Sequence, residues 1–369
     1  MVVIAATVAM AMGFGGLGLI TVFMGPMEAD LGWSRSDTSL GYALSTAGMA
    51  LGGLFWGRLS DRADVRLLLA VGGAGMVGSL LAMPMLHSLP VFYVANAMYG
   101  GFGFSVLYSP LLSTKSFLIN AFGWRWAFVG TAGTVLSALG LALPALRWPQ
   151  GTRAPALNST IVPEVERAET TSVSVLALAA FLCCMCMGVP VVHMASFIGA
   201  ICGSPSVGVN SLMIAMSAGA VGRVCCGLIA DRIGPLKAYG IASATQTACV
   251  MAFPALGDSL SFMVLSGLFG FGFAGNMTCL SLCVREVVPA SRFGGAIGAV
   301  MMVAWAGMAS GGYLGGALFD LSRSYTPSFL LAGISGVLNL MVLAAFAATK
   351  NSPAVPIKLK GKSAGAHTM

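Results

Sequence analysis

The chain alternates between uncharged apolar runs of roughly twenty residues and short polar connections, and that pattern admits very few folds. A hydrocarbon core about 30 Å thick is crossed by about 20 apolar residues in helical form. Inside it every backbone polar group must be satisfied within its own segment or a closed barrel. Runs at about 2–24, 39–57, 67–87, 90–112, 124–146, 173–199, 209–231, 237–256, 260–284, 294–318 and 326–348 meet the length requirement, which makes eleven spans. Charged residues are 8% of the chain and hydrophobic residues 57%, against about 25% charge in a soluble domain. The class is therefore an all-α polytopic membrane protein. The first run starts almost at Met1, without a basic stretch before it or a clear cleavage site after it, and reads as a retained span.

Two charged stretches divide the apolar pattern. Gly57-Arg58-Leu59-Ser60-Asp61-Arg62 leads to Arg66, and Gly227-Leu228-Ile229-Ala230-Asp231-Arg232 leads to Lys237, at an offset of 170. Gly101-Phe102-Gly103-Phe104 matches Gly270-Phe271-Gly272-Phe273 at 169, while Trp124–Phe128 resembles Tyr325–Phe329 at 201. The offset jumps by 32 residues (201 less 169), about the length of a loop plus one span. This predicts two related six-span halves, of which the first has lost its fifth span, with 113–123 as a remnant too short to cross. The expected units are an N-terminal bundle at 1–147, a cytoplasmic linker at 148–172, a six-span bundle at 173–348 and a cytoplasmic tail at 349–369.

Charge placement agrees. With six plus six spans, 14 of the 19 basic residues share the face of Arg58, Arg62 and Arg66, as the positive-inside rule requires. Arg35, Lys115, Arg125 and Arg323 take the other face, and Arg223 lies within a span. The net charge of +7 thus reports orientation and gives no reason to expect a nucleic-acid partner. The nine cysteines fall between Cys183 and Cys283, mostly inside apolar runs. They lack partners at metal-ligand spacing and read as packing residues, as do the glycine-rich stretches Gly100–Gly103 and Gly267–Gly275. No cofactor, resident metal or catalytic constellation is expected, and so no enzyme activity.

The repeat, the linker and the paired charged loops resemble the major facilitator superfamily of secondary transporters. Local matches resemble its oxalate–formate exchanger and monocarboxylate carrier branch: Gly32-Trp33-Ser34-Arg35-Ser36, Tyr108-Ser109-Pro110, Val191-Val192-His193, and Arg223. The resemblance implies that Asp61, Arg62 and Arg66, with Asp231, Arg232 and Lys237 as the symmetric copy, act as gating charges on the cytoplasmic face. Simple positive-inside anchoring is the plainer alternative. The first loop departs from the pattern, with Asp64 where glycine is usual; the second keeps Gly234.

Arg223 lies eight residues before Asp231, so ~12 Å deeper along a helix at 1.5 Å per residue. An intramembrane arginine is costly and faces a cavity or a partner. The resembled carriers bind the substrate carboxylate with an arginine at this place, and its planar donor fork suits that anion; a structural arginine that snorkels or bonds backbone carbonyls is the alternative. The oxalate exchangers add a lysine in the eleventh span, but 294–318 contains no Lys or Arg. The proton-coupled carriers place an acid one turn before the arginine, where this chain has Gly219, and a lysine in the first span, where 2–24 has none. A single cation favours a monoanion.

His193 is the candidate proton carrier, with a histidine bonded to a neighbouring helix as the alternative. Tyr93, Tyr99 and Tyr108 could line the cavity as donors, or belong to the aromatic belt. Tyr99 is the one assigned to the substrate site. The expectation is a monomeric plasma-membrane transporter, in a bacterium an inner-membrane one, for a small organic anion, with protons as a candidate co-substrate. A drug exporter and a truncated, non-transporting remnant or sensor are the competing readings.

Overall fold

Helices start where a proline or a turn residue lets them. A computed structural model describes residues 27–60, 65–83, 88–103, 163–289 and 292–351. In the first half these form α1 (Arg35–Ser60), α2 (Val65–Ala82) and α3 (Leu89–Gly103); in the second, α4 (Pro163–Ile201), α5 (Pro205–Ile233), α6 (Pro235–Ala252), α7 (Ser259–Val287), α8 (Phe293–Ser322) and α9 (Thr326–Asn351). Pro205 and Pro235 occupy the first turns of α5 and α6, where the missing N–H costs nothing. Gly234, at φ +90°, is the single residue between those two helices, and a side chain there would be strained. Among the described residues the backbone is helical, with short turns between the helices.

Five of these helices are long and apolar enough to cross a membrane: α4 from Glu169, α5, α7, α8 from Gly295, and α9 to Thr349. Of the remaining expected spans, 39–57 lies on α1 and most of 237–256 on α6, while the described parts of 67–87 and 90–112 fall on α2 and α3. The low hydropathy of α6 has a visible cause. Its Ser243, Gln246 and Thr247 are buried and bonded to neighbouring helices or to the preceding turn. The helix α4 begins at Pro163, ten residues ahead of the expected span, so the last part of the stretch read as linker is helical. The first span, the span at 124–146, the remnant at 113–123, Tyr108, Asp61, Arg62, Asp64, the side chain of Arg66 and the tail beyond Asn351 lie outside the described residues.

In the second half, α4 packs on α8, α9 and α5, while α7 packs on α5 and α6. In the first half, α1 packs on α3, and α3 on α2. The helix α1 also lies along α8 and joins the two halves.

The internal repeat is written into these contacts. Bare glycine backbone at Gly100 rests on the carbonyl of Ser45, and at Gly270 on that of Ala215; Gly52 rests on Gly101, and Gly222 on Phe271. Both members of each pair are related by 170 residues. The contact between α1 and α3 therefore recurs as the contact between α5 and α7. This corrects one detail of the alignment: the equivalent of Gly270 is Gly100, and the offset of 169 becomes 170. The glycine-rich stretches serve close helix approach, as expected in lipid.

Candidate functional site

Arg223 follows Gly222 on α5 and is half-buried. The close approach of α5 to α7 fixes its height. A Cβ on Gly219, one turn earlier, would lie 3.1 Å from Ala274 Cβ and 3.2 Å from the Gly270 carbonyl oxygen. Both atoms belong to α7, so any side chain at this position requires α7 to give by a few tenths of an ångström.

The second constellation lies at the opposite end of α1 from Arg58, where the two halves meet. Glycines clear the way. A Cβ on Gly312 would come within 2.9 Å of Val192 and 3.0 Å of Tyr42, and one on Gly315 within 2.8 Å of the His193 ring. The first turn of α1 then meets the last turns of α8, and the Ser36 N–H donates to Asp320 Oδ2 at 2.8 Å. Arg35 Nε donates to Glu28 Oε2 at 3.2 Å, and its guanidinium lies 3.9 Å over the Phe319 ring. Arg35 Nη1 also donates to the Tyr325 hydroxyl. Burial pushes the Glu28 carboxyl up from its ordinary value, against the opposing pull of Arg35.

A turn delivers Tyr325. The helix α8 ends at Ser322, and Arg323 adopts the left-handed conformation at φ 55°, its N–H donating to the Phe319 carbonyl at 2.7 Å. The chain reverses there and drops Tyr325 back against Phe319 and Phe197, at ring separations of 4.4 and 5.7 Å. His193, fully buried on α4, completes the group. Its Nε2 lies 2.8 Å from the Gly312 carbonyl oxygen and its Nδ1 3.4 Å from the Tyr325 hydroxyl. Three residues earlier, Pro190 interrupts the hydrogen-bond ladder of α4, a feature that membrane helices tolerate.

Of the sequence-stated candidates, His193 thus bonds neighbouring elements with both ring nitrogens. Asp231, Arg232 and Lys237 are exposed at the turn between α5 and α6. Tyr99 is buried in the first half, and its hydroxyl has no hydrogen-bond partner among the described residues. Arg223 and His193 lie in different places: one beside the α5–α7 contact, the other where α4, α8 and α9 meet α1. Sequence reasoning gave no role to Glu28, Arg35, Asp320 or Tyr325. Asp320 carried a readable signal, because it is the one charge in an otherwise uncharged α8. Among the described residues no cluster of His, Cys, Asp or Glu could hold a metal ion. Cysteines such as Cys183, Cys186 and Cys279 are buried packing residues with free thiols.

Five long apolar helices in the second half and a helix contact repeated between the halves are the marks of a multi-pass membrane protein built by duplication. The profile of the Major Facilitator Superfamily matches residues 4–114, 97–303 and 176–367, and the chain belongs to that family. It is 24% identical over 382 residues to monocarboxylate transporter 13 of Rattus norvegicus, covering 92% of this chain and 87% of the relative. Among solved structures it resembles the D-xylose–proton symporter at a TM-score of 0.70 and 14% identity, covering 93% of this chain and 96% of that one. A mutant of the nucleoside transporter NupG gives 0.69 at 13% identity, over 89% and 95%. These two likenesses concern the fold.

Proposed function

We propose that the chain carries a small organic anion, a monocarboxylate, across the plasma membrane by alternating access, with Arg223 as the anion-binding residue. The observation that carries this is the placement of Arg223: half-buried on α5, ~12 Å along the helix from the exposed Asp231. A guanidinium cannot shed its charge, so in this position it needs an anion or polar groups about it. The relative described as a monocarboxylate transporter supports the carboxylate class. Tyr99 on α3 is a second candidate contact. In this reading the chain works as a monomer of two bundles, 1–147 and 173–348, and the charges at Asp231, Arg232 and Lys237, with Asp61, Arg62 and Arg66, gate the cytoplasmic face. The test is uptake of labelled monocarboxylates into vesicles containing the protein, with Arg223→Ala as the comparison. Uptake by the wild type and none by the variant is expected. Equal uptake by both removes the assignment of Arg223, and a wild type inert to every monocarboxylate removes the substrate class.

A further inference from the structure

The bonds around His193 run in one direction. A backbone carbonyl can only accept, so the nitrogen 2.8 Å from Gly312, Nε2, must carry the proton. In the neutral ring Nδ1 is then an acceptor. Its neighbour is the Tyr325 hydroxyl, which donates to it, while the phenol oxygen accepts from Arg35. The chain of donors runs Arg35 to Tyr325 to His193 to Gly312, from the first half of the molecule into the second. Every member is satisfied as long as His193 is neutral.

A proton on Nδ1 breaks this order. The imidazolium has two donors and no acceptor, so the Tyr325 O–H loses its acceptor in a buried site, where an unmade bond is costly. A second positive charge also converges on the phenol oxygen that already takes the Arg35 N–H. The surrounding charges do not neutralise it without changing partners. From α1 His193 faces Arg35, whose charge is answered by Glu28; from α8 it faces Asp320, which is engaged by the Ser36 N–H. The helix α5 between 205 and 222 and α7 between 259 and 284 contain no charged residue. Asp320 is thus the carboxylate available to a protonated His193, and turning to it means leaving Ser36, the other bond across the same contact.

We propose that His193 is a proton-operated release for the contact between the halves on the face opposite Arg58: neutral, it holds Tyr325 and through it Arg35; protonated, it frees both, and Asp320 with them. Proton arrival from that side then favours the state open to that side, which is the step a proton-coupled importer requires. The inference rests on the transporter reading for its purpose, but its test needs no substrate.

The test is hydrogen–deuterium exchange of the full-length protein in lipid nanodiscs, followed by mass spectrometry on peptides from 35–42 and 312–320 and corrected for the chemical exchange rate. In the wild type, exchange in these peptides is expected to be roughly ten-fold faster at about pH 5 than at about pH 8, across the range in which histidine titrates. His193→Gln keeps an amide donor for Gly312 and an amide acceptor for Tyr325 but does not titrate; its exchange should be slow at both pH values. Tyr325→Phe removes the link and should exchange fast at both. The proposal is overturned if the wild type shows no pH response, if His193→Gln keeps that response, or if Tyr325→Phe exchanges as slowly as the wild type at the higher pH. Any of these outcomes leaves the uptake result and the role of Arg223 untouched.

Discussion

Asn276 donates its side-chain N–H to the side-chain oxygen of Gln246 at 2.7 Å, which ties α7 to α6 in the interior of the second half. Gln246 passes the connection on, its own N–H lying 3.3 Å from the Cys183 carbonyl of α4. Asn339 of α9 donates to Ser243, one turn away on α6, at 2.6 Å. All four side chains are fully buried. Helices in lipid gain little from apolar contact with one another, so such bonds fix their register, typically at about 0.5–2 kcal/mol each. Replacing Gln246 with Leu is expected to lower stability by about 1–2 kcal/mol, because Asn276 is left with an unanswered donor. Thermal unfolding in mild detergent measures it. The double variant with Asn276→Leu should cost less than the sum of the two single ones, since the orphaned donor is gone.

The repeated glycine contacts give a second, paired expectation. A Cβ on Gly222 would lie 2.8 Å from Phe271 Cα and closer still to its carbonyl oxygen, and backbone cannot step aside as a side-chain tip can. Gly222→Ala should therefore cost about 1–3 kcal/mol, read as a lower unfolding temperature and a smaller monodisperse fraction on size exclusion. Gly227 lies on the same helix, but the nearest atom to its added Cβ is Thr278 Cγ2 at 3.9 Å. Gly227→Ala should be neutral or stabilising by up to about 1 kcal/mol, the helix-propensity difference. Gly52→Ala, the counterpart of Gly222 in the first half, should behave as Gly222→Ala does.

These pairs also show what could be read from sequence and what could not. The apolar length of α4, α5, α7, α8 and α9 and the duplication are one-dimensional properties: length and apolar composition mark helices able to cross a membrane, and Gly57 and Gly227 mark the period. Arg223 was legible for the same reason, since a charge inside an apolar run stands out by itself. The one-residue error at Gly101 arose because a Gly-Phe-Gly-Phe pattern can slide, whereas the contacts of Gly100 with Ser45 and of Gly270 with Ala215 cannot. The group of Glu28, Arg35, His193 and Tyr325 was not legible. Its members are 297 residues apart at the extremes, each is ordinary at the end of a span, and only the left-handed turn at Arg323 brings Tyr325 to the others. Gln246, Asn276 and Asn339 were visible as amides in apolar runs, but their pairing depends on helix rotation, which the sequence does not display.

The start of α7 offers a test of pH dependence away from the contact between the halves. Asp258 is the N-cap, its carboxylate accepting from the Ser261 N–H at 2.9 Å. That bond and the neighbouring donors hold its carboxyl below the ordinary value of 3.8. A depressed acid stabilises the folded form above its unfolded value, and the effect is lost as pH falls through the lower folded value. Protection of the Ser261 amide against exchange should therefore be unchanged from neutral pH down to the ordinary carboxylate range and fall below it. Asp258→Ala should remove that protection at every pH, and Asp258→Asn should keep it without the fall. A wild-type profile that coincides with that of Asp258→Asn would refute the assignment.

The last expectation separates a guanidinium from a mere positive charge at the proposed substrate site. If Arg223 grips a carboxylate with two parallel N–H donors, a lysine there keeps the charge but offers one rotating ammonium in place of the planar fork. Arg223→Lys should then retain measurable uptake with an apparent affinity weaker by roughly ten- to a hundred-fold, the loss of one charge-assisted hydrogen bond at about 1.5–3 kcal/mol. Arg223→Ala should abolish uptake, because no charge remains to replace the water stripped from the anion. A purely structural arginine, bonded to helix carbonyls, predicts a different order. Both variants would then lose folded protein together, and whatever folded would bind substrate with unchanged affinity. Uptake kinetics in vesicles, normalised to the folded fraction by size exclusion, distinguish the two orders, since only the first moves affinity independently of folded yield.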